Sequence, residues 1–327
     1  MKIIMFDVAP VETNLIHRFA QRHSVQIKTT AKPLNLQTEK LAKGFDGLST
    51  QTVSKDPKFY RNLAQMGIKQ IALRHTGYEI VNLKAARKNG LTVTNVPGYS
   101  PRSVAEMTLT LTMYLLRHIG RIQRREARGD FRWVGNEAHE IHNLTVGVIG
   151  TGKIGSTVAR VFKALGCNVL ANDLKPTSSL EATVKYVPKS ELIRKSDIIT
   201  CHTDLNSTTQ HMISAPQFEA MKNSTIFINA SRGAVVNTKD LIKALDHEEI
   251  AGAGLDTVEN ETDTFTKDSH GKPVPNGFVR NLIKRPNVVM TPHVAFFTNN
   301  SVKNMVNIAL RDTMTIVNGH RSEDQVN

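Results

Sequence analysis

Short apolar runs alternate with segments of helical period along almost the whole chain. Residues 2–6 (KIIMF), 25–28, 45–48, 71–74 and 91–94 read as five strands, and residues 11–22, 56–66 and 79–88 between them as helices. That alternation predicts a small parallel sheet with helices on both faces. Residues 95–101 (NVPGYSP) break the rhythm with two prolines and a glycine and mark a hinge. Ser100 and Pro101 suit the N-cap and first position of a long helix. Residues 107–113 alternate apolar residues with threonine, which alone reads as a strand; the cap signals and the long polar continuation favour a helix. From residue 145 the β–α rhythm resumes, with strands at 146–149, 168–171, 197–201, 225–229, 252–255 and 288–290. A last helical segment, 299–317, is placed to pack back across the hinge.

The second half opens on TVGVIGTGKIG (145–155), in which Gly150, Gly152 and Gly155 follow a buried-type strand and start the amphipathic helix 153–165. A helix beginning in a glycine turn offers unpaired N–H groups and the positive end of its dipole, which suits a pyrophosphate. The next strand ends at Asp173, 23 positions after Gly150, where an acid accepts hydrogen bonds from ribose hydroxyls. Strand, glycines, helix, strand and acid in that order point to a dinucleotide site of the NAD type.

Composition changes this picture little. A chain of 327 residues, 40% hydrophobic and 22% charged, accommodates two globular domains. MKIIMFDV carries too short an apolar run for a signal peptide, and no window approaches a membrane span. Cys167 and Cys201 lie in or beside apolar runs and read as buried thiols, so the chain is expected in the cytoplasm. The net charge of +13 admits nucleic acid as a partner. The densest basic cluster, Arg117–Arg132, has no interleaved aromatic before Phe131 and fits no nucleic-acid motif, so no nucleic acid and no membrane partner is expected. A positive field equally attracts an anionic cofactor and a carboxylate substrate.

Ligands of doubly wound sheets bind beyond the carboxyl ends of the strands. Arg232 (NASRG), Glu261 (LDTVENE) and His293 (MTPHVAFF) each follow such a strand. Together they form a carbonyl-reducing set: a guanidinium clamps a carboxylate in a bidentate fork, and an imidazole backed by a carboxylate supplies a proton. No metal-ligand pattern stands out.

At these residues the chain resembles the D-specific 2-hydroxyacid dehydrogenases, and among them the D-lactate dehydrogenases. The likeness runs through LRHTGYEIVNL (73–83), TNVPGYSPRSVAE (94–106), GDFRW (129–133), VGVIGTGKIG (146–155), NASRGAVV (229–236), GLDTVENE (254–261) and RPNVVMTPHVAFFT (285–298). It implies an α/β fold of two doubly wound parallel-sheet domains. A Rossmann-type cofactor domain (100–297) is inserted in a flavodoxin-like substrate domain (1–99 completed by 298–327), and closure at the two links excludes water. It implies Arg232 as substrate clamp, His293 as acid/base and Glu261 as its partner. Backbone N–H groups near Thr76 and Gly77 then hold the substrate carboxylate, and Tyr99 and Phe296 line the pocket. NAD is placed on Gly150, Thr151, Gly152, Lys153, Ile154, Gly155, Asp173, His202, Thr203, Ala230 and Asp256. The implied reaction is reduction of pyruvate to D-lactate by a homodimer joined through the cofactor domain.

Four positions depart from the family pattern. Lys153 stands for a commoner His or Arg, Asp204 for a usual proline, and Arg102 for a neutral residue, while Lys175 follows Asp173 closely enough to tolerate a 2′-phosphate weakly. Three rival readings stay open. One is an enzyme of the same family for larger keto acids such as 2-ketoisocaproate. Another is a non-catalytic NAD-sensing regulator, separated by NADH oxidation with pyruvate. The third is a nucleic-acid binder, marked by binding that falls steeply with salt.

Overall fold

The structure, a computed structural model, describes residues 1–265 and 267–327. The chain divides into two compact units, Met1–Ser100 with Phe297–Asn327, and Pro101–Phe296.

The first unit is built on β1 (Lys2–Met5), β2 (Gln26–Thr29), β3 (Gly47–Thr50), β4 (Gln70–Leu73) and β5 (Thr92–Thr94). All pair in parallel in the order β2-β1-β3-β4-β5, the flavodoxin-like arrangement. Helices α2 (Pro57–Gln65) and α3 (Leu83–Lys88) belong to one face, where Phe59, Tyr60, Leu63 and Ala86 meet Ile4, Leu48 and Ile71. Helix α1 (Thr13–His23) and α11 (Asn299–Val317), the last of eleven helices among the described residues, close the other through Ile16, Phe19, Val306 and Leu310. The final residues extend the sheet edge: Val326 N–H donates to the Val93 carbonyl, and the Asn327 side chain bonds Val93 and Leu91.

Two sequence expectations shift here. The strand expected at 45–48 forms two residues later, at Gly47–Thr50. The helix expected at 79–88 starts only at Leu83, because the Asn82 side chain caps it by accepting from Ala85 N–H. Residues 75–81 are thereby left as a loop beyond the end of β4.

The second unit holds β6 (Thr145–Ile149), β7 (Asn168–Asn172), β8 (Lys185–Tyr186), β9 (Ile198–Cys201), β10 (Ile226–Asn229), β11 (Gly252–Leu255) and β12 (Val288–Met290). The order is β12-β11-β10-β9-β6-β7-β8, all parallel, a Rossmann sheet with one added strand. Helices α4 (Pro101–Leu116) and α6 (Lys153–Ala164) cover one face through Leu111, Leu115, Val158 and Phe162. Helices α7 (Lys189–Lys195), α8 (Ala215–Glu219), α9 (Thr238–Asp246) and α10 (Gly277–Leu282) cover the other through Leu192, Phe218, Leu241 and Leu282. The short α5 (Ile119–Glu126) follows α4. The threonine-rich run in α4 is helical, and Thr108, Thr110 and Thr112 each satisfy the hydroxyl by donating it to the carbonyl four residues back. Both cysteines are buried and free, and burial pushes the Cys201 thiol up to about 12. Among the described residues, no helix is long and apolar enough to cross a membrane.

Candidate active site

The glycine turn between β6 and α6 is shaped by sterics. Gly150 has φ +88°, and a Cβ there would lie 2.6 Å from the His202 carbonyl oxygen. A Cβ on Gly155 would lie 1.9 Å from the Gly150 oxygen, so helix and turn touch backbone to backbone. Gly152 differs: it is exposed, and a Cβ there would meet nothing within 4 Å. Within the chain Gly152 is the N-cap of α6, a place that favours glycine, and its bare outer face also leaves room for a phosphate. No side chain caps the start of α6, so its first amides are kept for a ligand. This turn fits a pyrophosphate.

Asp173 stands at the end of β7 beside the turn. Its Oδ2 accepts from Thr151 N–H at 2.6 Å and from the Thr151 hydroxyl at 3.0 Å, and its Oδ1 from Lys175 N–H at 2.8 Å. Burial alone pushes the Asp173 carboxyl up. The amides of Lys175, Thr151 and Leu174 and the Thr151 hydroxyl outweigh it and hold the group below its usual range. Across the sheet, His202 and Thr203 follow β9 and abut Gly150. His202 Nε2 pairs with the Thr200 hydroxyl at 2.8 Å, and burial lowers its pKa to about 3, so the ring is neutral. Lys153 is exposed and Ile154 half-buried in the first turn of α6, and Ala230 is buried just past β10.

The ends of β10, β11 and β12 gather the second group. Arg232 is half-buried after β10, where the Asn229 side chain ties the turn by accepting from Ser231 and donating to the Arg232 carbonyl. Gly233 lies so close to the segment after β11 that a Cβ would sit 2.2 Å from the Val258 carbonyl carbon. That segment carries Glu261, whose Oε2 accepts from Val258 N–H at 2.8 Å. Its Oε1 lies 2.5 Å from His293 Nδ1. A carboxylate only accepts, so the Nδ1 proton points at Glu261 and Nε2 is left for other work. The Phe296 ring stands edge-on to the imidazole, with centroids 6.4 Å apart.

His293 adopts a left-handed backbone, φ +55°, and its N–H donates to the Asp256 and Thr291 carbonyls. Asp256, expected at the cofactor, is 1% exposed and turned inward. Its carboxylate accepts from the Thr291 hydroxyl (2.5 Å) and from the amides of Val294 (2.9 Å) and Ala295 (3.0 Å). It therefore ties down the loop that presents His293, a role sequence reasoning missed. The signal was present: an acid immediately after β11, facing a Thr-Pro-His turn.

Thr76, Gly77 and Tyr99 belong to the first unit. The Thr76 hydroxyl donates to the Val96 carbonyl at 2.9 Å, and the Thr76 carbonyl accepts from the Asn95 side chain at 2.5 Å. The Tyr99 carbonyl accepts from the Asn304 side chain at 2.6 Å. Arg102 is an exposed α4 residue paired with Glu106, and Asp204 is exposed in the loop after β9.

Residues 109–295 match the family model of the D-isomer specific 2-hydroxyacid dehydrogenase NAD binding domain. The chain is 36% identical to a D-lactate dehydrogenase of Lactiplantibacillus plantarum over 329 aligned residues, covering 100% of this chain and 99% of the relative. This chain belongs to the D-isomer specific 2-hydroxyacid dehydrogenases. A crystal structure of the Lactobacillus delbrueckii ssp. bulgaricus D-isomer specific 2-hydroxyacid dehydrogenase, in its NAD complexed form, superimposes with a TM-score of 0.90 at 42% identity, covering 100% of both chains. D-2-hydroxyisocaproate dehydrogenase superimposes with a TM-score of 0.92 at 31% identity, over 100% of this chain and 99% of that one. The chain is accordingly an NAD-dependent oxidoreductase of D-2-hydroxy acids, and the second unit contains its NAD-binding domain.

Proposed function

We propose that this enzyme reduces pyruvate to D-lactate. The observation that carries the reading is the His293–Glu261 pair at 2.5 Å, held on the same rim of strand ends as Arg232. Arg232 grips the substrate carboxylate with one edge of its guanidinium and polarises the adjacent carbonyl. NADH supplies the hydride to the keto carbon when bound. His293 delivers a proton from Nε2 to the carbonyl oxygen as that oxygen gains charge, and Glu261 holds the ring by Nδ1 throughout. The product carries one new C–H and one new O–H bond, and the imidazole is reprotonated from solvent. The family resemblance assigns the amides near Thr76 and Gly77 to the substrate carboxylate and Tyr99 and Phe296 to the lining of its pocket. Gly150–Gly155 and Asp173 hold the dinucleotide, with His202, Thr203 and Ala230 beside it and Asp256 acting through the His293 loop.

The likeness to D-2-hydroxyisocaproate dehydrogenase supports a second reading, in which a longer keto acid is the preferred substrate. Steady-state rates with NADH across pyruvate, 2-ketobutyrate and 2-ketoisocaproate separate the two. Pyruvate is expected to give the highest kcat/KM, with the D enantiomer as product; a preference for the branched acid overturns it. We further read the enzyme as a homodimer through the second unit. Phe131, Trp133 and Val134 support this, being 77%, 85% and 64% exposed side by side. Sedimentation of the full chain tests it.

A further inference from the structure

The hydrogen bonds of Asp173 do not end at Thr151. The Thr151 hydroxyl lies 3.1 Å from the Tyr186 hydroxyl, and Tyr186 in turn accepts from Thr177 N–H at 3.2 Å. The direction of this chain is fixed by its carboxylate end. Asp173 only accepts, so Thr151 spends its one hydroxyl proton on Asp173. Toward Tyr186, Thr151 must then accept and Tyr186 donate. Tyr186 receives the Thr177 amide on its own oxygen. The path runs from Thr177 N–H through Tyr186 and Thr151 to Asp173 with every hydroxyl both donating and accepting, the arrangement in which neighbouring bonds strengthen one another.

Topology puts the tyrosine there. Strand β8 is two residues long, and Tyr186 pairs with Ala171 of β7, two positions before Asp173. Side chains of a strand alternate, so Ala171 and Asp173 share a face, and Tyr186 lies on that face across the ladder. Thr151 is 6% exposed, so its bonds are shielded from water. Asp173 is thus held by a turn on one side, through Thr151, and by its own following loop on the other, through Lys175.

We propose that Tyr186 is a positioning residue for cofactor selection: acting through Thr151, it locks the Asp173 carboxylate in the one orientation that accepts ribose hydroxyls and refuses a 2′-phosphate. The proposal rests on the reading of Asp173 as the ribose acceptor. A carboxylate free to rotate away from a phosphorylated ribose discriminates weakly, whereas one pinned by Thr151 and Lys175 keeps its charge facing the 2′ position. The nearby Lys175, exposed after β7, is then of no use to a 2′-phosphate while Asp173 stays in place.

The test uses the full-length chain and the two reduced cofactors as probes. Kd values for NADH and NADPH come from fluorescence titration without substrate, and exchange of the Thr177 amide is followed in the ligand-free protein. In Tyr186→Phe the Kd for NADH is expected to rise about two- to tenfold, the worth of one hydrogen bond, while that for NADPH stays level or falls. In kinetics the loss appears in KM for NADH more than in kcat, and the Thr177 amide exchanges faster. Thr151→Ser, which keeps the hydroxyl, retains the wild-type preference, and Thr151→Ala loses it. An equal weakening of both cofactors in Tyr186→Phe reduces the tyrosine to a general support and overturns the proposal. If Asp173→Ala collapses the preference and Tyr186→Phe leaves it intact, the proposal fails and the Asp173 reading stands. If Asp173→Ala leaves it intact too, both fail.

Discussion

The two units build the same device and finish it in opposite ways. Each is a parallel sheet whose strand order reverses beside its first strand, between β1 and β3 in one and between β6 and β9 in the other. That reversal opens a crevice where doubly wound folds bind ligands. In the first unit the crevice is filled from within. Asp7, at φ +54° just past β1, accepts from the Thr50 hydroxyl and from the amides of Gln51 and Thr52. The fully buried Arg74 guanidinium lies against it, bonded to Glu12, to the Ser49 hydroxyl and to the carbonyls of Phe6 and Asp7. Glu12 also takes the Ala9 amide, so the helix start after β1 already holds its anion. In the second unit the equivalent place is a glycine turn and an uncapped helix. One sheet carries its counter-charges in its own sequence, the other leaves them to a cofactor, and fold alone would not have told them apart.

The largest effect expected is on chemistry at the open unit. His293→Ala removes the proton donor and lowers kcat for pyruvate reduction by about 10²–10⁴-fold. Glu261→Gln keeps the shape of the pair but removes the charged acceptor that orients the ring by Nδ1, so kcat for pyruvate reduction should fall about tenfold or more. Glu259, two residues earlier, is bonded instead to His211 and to the Thr238 amide, so Glu259→Gln should leave kcat within about twofold. A large loss of kcat in Glu259→Gln with none in Glu261→Gln would falsify the pairing.

The filled unit is expected to lose stability rather than function. Arg74→Met strands the buried Glu12 carboxylate and should cost about 3–5 kcal/mol in denaturant unfolding. NADH affinity, measured on the protein still folded, should stay within about twofold, since the binding turn belongs to the other unit. An Arg74→Met chain as stable as wild type removes the network from the comparison.

Gly152→Ala probes the open crevice more finely. A Cβ there meets no protein atom within 4 Å, so unfolding free energy should change by no more than about 1 kcal/mol, the cost of alanine at a helix N-cap. It would stand where a phosphate approaches, and NADH binding should weaken on the order of ten- to a hundredfold. Gly155→Ala differs in kind, because its Cβ meets the Gly150 oxygen and disturbs the fold with or without ligand. Equal stability losses in the two variants would erase the distinction.

Much of this was legible in the residues. The strand–glycine–helix–acid order around Gly150 and Asp173 announced the dinucleotide turn because each part has a local physical reason visible in sequence. Arg232, Glu261 and His293 could be singled out because each comes shortly after an apolar strand, and the structure does gather their three strands side by side. What stayed hidden depends on register and on contacts far apart in sequence. Strand β8 is too short to show a period, so Tyr186 had no signal of its own. The inward turn of Asp256 depends on a loop 35 or more residues away. The closed crevice depends on Arg74, which reads in sequence as an ordinary charged residue at a strand end, while Glu12 lies 62 positions before it.

The smallest effect concerns a carboxylate that the filled unit does not fully satisfy. Asp7 has several donors, but Asp312 on α11 is 7% exposed and has one among the described residues, the Ser322 hydroxyl at 2.7 Å, while its Oδ2 has none. Burial raises its pKa to about 6, against the partial relief of Ser322 and with help from the nearby Asp324 charge. The folded protein therefore binds this proton more tightly than the unfolded chain, whose Asp titrates near 3.9. Stability from this group is full below about pH 4, declines as pH rises from 4 to 6, and is flat above that. A shift of about two units bounds the loss at about 3 kcal/mol, and relaxation of the helix end should leave about 1–2 kcal/mol. Asp312→Asn abolishes the titration while keeping an acceptor for Ser322. It is expected to unfold at higher denaturant than wild type at pH 7.5 and to match it near pH 4. A variant that gains equally at both values, or that loses at pH 7.5, would show that Asp312 is as well paired as Asp7.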